Sequence, residues 1–163
     1  MNSAHWHLVV NHFPIIVPII ALFVMVGGIV FKSDILKKTA YLLFILAAIL
    51  TLFAFNTGEE AEEIVEEMGN ISHDIIHEHE EVAETFSIMM YVLGGISLIG
   101  FWANWKQKSF SGIIVIVTLV FSIVTLFYAQ KTGTSGGEIR HTEIRADFSA
   151  EHEEQEEAEY DDD

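Results

Sequence analysis

Four long runs of uncharged, mostly apolar residues constrain this chain more than any other feature of its sequence. A membrane-spanning helix needs about 20 such residues, and each run is close to that length. The runs are residues 13–31, 39–56, 85–105 and 109–130. They predict an all-α fold, an integral membrane four-helix bundle formed as one domain by residues 1–145.

The charged residues are segregated from these runs instead of being interleaved with them. The 163 residues are 51% hydrophobic, yet the formal net charge is −16. Ten acids and little apolar surface predict that residues 146–163 form a disordered acidic tail. The absence of cysteine excludes thiolate metal sites and c-type haem attachment. No nucleophile–base pattern, phosphate-binding glycine loop or basic outer patch supports a hydrolase, a nucleotide-binding protein or a nucleic-acid partner.

The lysines predict the orientation of the bundle in the membrane. Short loops that are rich in lysine stay in the cytoplasm, and five lysines lie in the loops at 32–38 and 106–108. Both termini then lie outside, with all eight histidines and every acid except Asp34. We therefore expect a multi-pass membrane protein, with its termini and any site on the outer side of the membrane.

Three histidines directly precede the first apolar run. His5, His7 and His12 lie just ahead of Pro14, a residue that suits the first turn of a helix. Histidines at a membrane surface can be simple interfacial groups or ligands, and the sequence leaves both interpretations open here. For Trp6, anchoring at the membrane surface is the preferred interpretation.

The second run leads into a glutamate-rich segment. Thr57 followed by Glu60 has the spacing of a capping box, which predicts a short outer amphipathic helix that ends at Gly69. Most of its glutamates fit a solvated face. Glu59 and Glu63, one turn apart, are alternatively candidate carboxylate ligands.

One histidine ahead of the third run lies on the apolar side of its predicted helix. His79 shares that side with Ile76, Ala83 and Phe86, whereas His73 and His77 fall on the polar side. A histidine on the buried side at the mouth of a membrane bundle needs a partner. That partner can be a hydrogen-bonding group or a bound cofactor.

A glycine-rich stretch at 133–137 follows the fourth run and predicts the end of that helix. The chain can then fold back over the outer mouth, which brings Arg140, His141 and Arg145 towards the other histidines. Four elements of the predicted bundle thus meet at one end, and bundles commonly build cofactor sites between facing helices.

Two kinds of cofactor fit these residues. In the first, two of His7, His12, His79 and His141 bind the iron of haem b, and Arg140 and Arg145 bind its propionates. In the second, a divalent transition metal binds imidazole and carboxylate ligands. Its candidate ligands are His12, His79, His141, Glu59 and Glu63. A third hypothesis is an accessory structural subunit of a larger membrane complex, with no cofactor.

Short motifs along residues 5–145 resemble a family of uncharacterised bacterial four-span membrane proteins, filed as a domain of unknown function and similar in plan to small b-type membrane cytochromes. The motifs are His7 with Asn11-His12-Phe13-Pro14, Thr57-Gly58-Glu59 with Glu62-Glu63, His79-Glu80-Glu81, and Gly136-Gly137-Glu138-Ile139-Arg140-His141. The resemblance implies His7, His12, His79 and His141 as the functional histidines. It favours an electron carrier or an accessory subunit over an enzyme. It also favours the bacterial inner membrane as the location, with the site on the periplasmic side. The candidate partners are a respiratory-complex subunit and a periplasmic electron carrier.

Overall fold

The computed structural model describes residues 2–67 and 72–145, and within them every regular element is helical. The elements are α1 (Ser3–Val10), α2 (Phe13–Val30), α3 (Asp34–Glu67), α4 (His73–Trp105), α5 (Ser111–Glu138) and a 3₁₀ turn (Thr142–Ile144). The predicted acidic tail and the glycine at 69 lie outside the described residues.

The four long helices form a closed bundle. Each of α2, α3 and α4 packs against the next helix in the chain, α5 packs back against α2, and the short α1 lies against α3. We call the end that carries α1 and the C-terminus of α5 the histidine end. The opposite end, with the connections at 31–33 and 106–110, is the lysine end.

The surface of the bundle is more apolar than a water-soluble helical protein allows. Large side chains such as Phe23, Leu98 and Ile113 are more than half exposed, whereas small hydroxyl residues such as Ser97 and Thr118 are fully buried. Small residues on the inner faces are typical of helices that pack in membranes. All four long helical segments are long and apolar enough to cross a membrane, which is the coarse architecture that the sequence predicts.

The two connections at the lysine end are built alike. Lys32 and Gln107 each adopt a left-handed conformation, with φ of 49° and 51°. In both turns the following N–H bonds back to a carbonyl five residues earlier, Ser33 to Gly28 and Lys108 to Ala103. This is the hydrogen-bond pattern that closes many helices, and it reverses the chain within a few residues.

The prediction of a separate amphipathic helix after the second run is wrong, because α3 continues without a break to Glu67. Thr57 does not act as a cap. Its hydroxyl donates to the carbonyls of Phe53 and Ala54 within the same helix, at 2.9 and 3.1 Å. Glutamate is a good helix former, and one glycine among several of them does not end the helix.

The glycines after the fourth run do not end α5, which also differs from the prediction. The helix runs through Gly133, Gly136 and Gly137 and ends only at Glu138. The chain does turn back there, through the 3₁₀ turn. At the other terminus, α1 and α2 are separate helices, with the break at Asn11 and His12 just before Pro14.

Candidate functional site

A cavity of about 620 Å³ opens at the histidine end of the bundle. All of α1 to α5 contribute to its wall, and so does the segment that follows α5. Apolar side chains line much of it, among them Ile15, Phe55, Val65, Ile76 and Phe86. Its size lies within the range of roughly 300–1,000 Å³ that is typical of ligand and cofactor sites.

All four histidines that the sequence singles out line this one cavity. They are His7, His12, His79 and His141. None of them lies within the central part of the bundle, because each is carried at or near a helix end. His5, His73 and His77 are exposed and do not line it. The cavity therefore separates the seven histidines of residues 2–67 and 72–145 much as the sequence motifs do.

His7 is half-buried where α1 crosses α3. Its Nδ1 lies 3.0 Å from the carbonyl oxygen of Ala54 and 3.4 Å from the hydroxyl of Thr57. The ring rests on the α3 main chain, because Gly58 has no Cβ there; a Cβ would lie 3.2 Å from His7 Cε1. α3 thus fixes both the face of the ring and one of its nitrogens.

His79 is placed in the same manner between α4 and α5. Its Nδ1 lies 2.9 Å from the hydroxyl oxygen of Ser135. The ring rests against Gly136, where a Cβ would come within 3.0 Å of His79 Cε1. Each of these two histidines is therefore half-buried, bonded through Nδ1 to the neighbouring helix, and packed on a glycine of that helix.

The hydrogen bonds determine which nitrogen of each ring carries the proton. A carbonyl oxygen only accepts, so the neutral His7 ring has its proton on Nδ1. The Ser135 hydroxyl donates to the Thr132 carbonyl at 3.3 Å, so it accepts from Nδ1–H of His79. In both rings Nε2 then carries the lone pair, and it has no hydrogen-bond partner among the described residues.

The other two histidines in the cavity are more exposed and less constrained. His12 occupies the N-cap position of α2, where its side chain makes no capping hydrogen bond, and it lines the cavity. His141 precedes the 3₁₀ turn, and its Nδ1 lies 2.9 Å from a carboxylate oxygen of Glu143. Hydrogen bonds from its own main-chain N–H and from His141 lower the pKa of Glu143.

The candidate carboxylate ligands are divided by the structure. Glu59 lines the cavity, whereas Glu63 is exposed and does not. Glu62 and Glu80, which stand in the sequence motifs but were not predicted as ligands, also line it. Within residues 2–67 and 72–145, no group of three or more histidine or acidic side chains is arranged to hold one metal ion.

The two candidate arginines have different surroundings. Arg140 is exposed and lines the cavity. Arg145 is not among the lining residues; its guanidinium donates to the main-chain carbonyls of Glu138 and Ile139, at 2.8 and 3.4 Å. Arg145 thus satisfies carbonyls that the end of α5 leaves free, and it holds the returning segment against that helix end.

Sequence reasoning missed the groups that orient the two constrained rings. Gly58 and Gly136 stand within the motifs quoted above, so the sequence did mark them. It did not indicate that a histidine ring packs on each glycine. Ser135 and the Ala54 carbonyl carry no such signal. Asn11 also lines the cavity, and its side-chain oxygen is buried with no hydrogen-bond partner among the described residues.

No family model matches this chain, and no curated protein or solved structure is detectably similar to it.

Proposed function

We propose that this protein is a haem b-binding electron carrier of a bacterial inner membrane, in which His7 and His79 would hold the iron. The observation that carries the proposal is the pair of free Nε2 atoms. They belong to two half-buried imidazoles, on different helices, that line one cavity.

The rest of the cavity fits a haem group. Haem needs apolar walls, which Ile15, Phe55 and Phe86 supply, and cations for its propionates, for which Arg140 is the candidate. Metal-binding histidines usually donate their second ring N–H to a carbonyl or another acceptor, which fixes ring orientation. His7 and His79 already make that bond.

When bound, haem supplies a one-electron iron couple. The protein's own residues orient the two imidazoles, cover the group with apolar side chains and neutralise its carboxylates. The lysine distribution supports a cytoplasmic lysine end, so the cavity would face the periplasm. A quinol, a periplasmic electron carrier or a respiratory-complex subunit would then be the electron-transfer partner.

The first test is the visible spectrum of the full chain, purified in detergent from haem-replete cells. We expect a Soret band that shifts on reduction and about one haem per chain. His7→Ala and His79→Ala should each abolish the low-spin haem spectrum, because each removes one of the two histidines proposed to bind the iron. His5→Ala and His77→Ala are matched controls, since both residues are exposed and lie outside the cavity wall.

The alternatives give different results in the same experiment. A colourless wild-type protein with stoichiometric zinc, iron, manganese or copper would favour a divalent metal at Glu59 and the cavity histidines. A colourless protein without metal would favour an accessory structural subunit. Retention of the wild-type spectrum by both His7→Ala and His79→Ala would contradict the ligand assignment.

A further inference from the structure

The two constrained imidazoles differ in the group that accepts their Nδ1–H. For His7 the acceptor is the main-chain carbonyl of Ala54, which stays the same whatever side chain stands at that position. For His79 it is the hydroxyl of Ser135, a group that a single substitution removes. Ser135 is therefore a side chain whose replacement changes the acceptor of the His79 Nδ1–H and leaves both histidines in place.

Ser135 is itself held in one orientation. Its hydroxyl donates to the carbonyl of Thr132, one turn earlier on α5. Thr132 in turn donates to the carbonyl of Tyr128 at 3.0 Å and lies 3.4 Å from the carbonyl of Val82 on α4. With its proton directed at Thr132, the serine oxygen presents a lone pair to His79.

The neighbouring glycine limits how the His79 ring can respond. The ring packs so closely on Gly136 that a Cβ would lie 3.5 Å from Nδ1 and from Nε2, in addition to its contact with Cε1. The ring thus has the α5 main chain on one face and the Ser135 hydroxyl at one edge. Rotation of the ring about its Cβ–Cγ bond would break the hydrogen bond to Ser135.

We infer that Ser135 is a positioning residue that sets the orientation and the basicity of the His79 imidazole, and through it the reduction potential of the haem; this inference rests on the proposed function. A hydrogen bond from the distal ring N–H raises the basicity of a metal-binding histidine. A more basic ligand stabilises ferric iron relative to ferrous iron. Loss of the serine hydroxyl should therefore raise the reduction potential.

The test compares Ser135→Ala and Ser135→Thr with wild type in the full haem-loaded chain. Thr134→Ala is the matched control, because Thr134 is the adjacent residue of α5 and is exposed. We expect Ser135→Ala to have a higher reduction potential than wild type and a haem affinity lower by about 10- to 100-fold. Its low-spin ferric electron paramagnetic resonance spectrum should also change, because the ring plane is no longer fixed. Ser135→Thr, which keeps a hydroxyl, and Thr134→Ala should resemble wild type.

The outcomes separate this inference from the proposed function. A wild-type protein that binds no haem overturns both. Haem-bound wild type, together with an Ser135→Ala variant whose potential is unchanged or lower and whose affinity is unchanged, overturns the role of Ser135 alone. Complete loss of haem in Ser135→Ala supports that role if Ser135→Thr restores it, and overturns it if Thr134→Ala loses haem equally.

Discussion

At the scale of single residues, the most constrained groups in the cavity are His7 and His79, because the Nδ1 atom of each ring is already hydrogen-bonded. The sequence predicted the placement of His79, because helical periodicity put it on the apolar side of its helix. It did not predict Ser135 or the Ala54 carbonyl as partners. Those contacts depend on the register between neighbouring helices, and the periodicity of one helix contains no information about that register.

The glycine beneath His79 leads to a prediction at this scale. Gly136→Ala places a methyl group 3.0 Å from His79 Cε1, so the ring must move away from position 136, which disturbs its bond to Ser135. We expect a several-fold loss of haem affinity, measured by transfer of haem to an excess of a scavenging apoprotein. Gly112→Ala, also on α5, is the control because nothing lies within 4 Å of its added Cβ. Equal affinities in the two variants would contradict the packing argument.

Arg140 leads to a second prediction. Because it is exposed at the cavity, its ion pair with a haem propionate should contribute about 0.5–1 kcal/mol, and Arg140→Gln should release haem about twofold to fivefold faster. Lys131→Gln is the control for the change of charge, since Lys131 lies over the Phe127 ring and does not line the cavity. Haem release at the same rate in both variants would show that Arg140 makes no specific contact.

At the scale of helices, the sequence predicted the number and the apolar centres of the spans correctly, but not where two of the helices end. A capping box such as the one at Thr57 often begins a new helix, and glycines such as those after Lys131 often end one. In the structure, α3 continues past Thr57 and α5 continues past Gly133. Packing around the cavity favours the extended helices, and local signals do not report that packing.

The contact between α3 and α4 provides a prediction for stability. A Cβ at Gly100 would lie 2.3 Å from Tyr41 Cε1, and that tyrosine is completely buried. Gly100→Ala should therefore destabilise the bundle by about 1–3 kcal/mol, measured as a lower thermal unfolding midpoint in detergent. Gly95→Ala on the same helix meets nothing within 4 Å and should be neutral or stabilising, because alanine favours helix by about 1 kcal/mol. Equal midpoints for the two variants would argue against this packing.

At the scale of the whole molecule, the clearest regularity is the separation of charge between the two ends. The lysine end has both short connections, and the histidine end has the cavity and most of the described carboxylates. The order of charged blocks and apolar runs along the chain was enough to predict this separation. The fold turns that alternation into two chemically different ends.

This separation predicts a testable orientation. The chain has no cysteine, so a single introduced cysteine is the only thiol that a maleimide can label. In intact spheroplasts, a membrane-impermeant maleimide should label Thr134→Cys, at the histidine end, and not Ser109→Cys, at the lysine end. Both positions are exposed, and both should react after the membrane is permeabilised. The reverse pattern would invert the orientation.

His7 contacts α3, in the first hairpin of the bundle, and His79 contacts α5, in the second. A group that both imidazoles bind would join two hairpins that can enter the bilayer one after the other during synthesis. Cofactor delivery would then be the last stage of biogenesis, because only one of the two histidines is in place until the second hairpin is inserted. In cells starved of haem, the two hairpins should be held only by the packing of α3 on α4 and of α5 on α2, and membrane proteases should degrade the chain faster than in haem-replete cells.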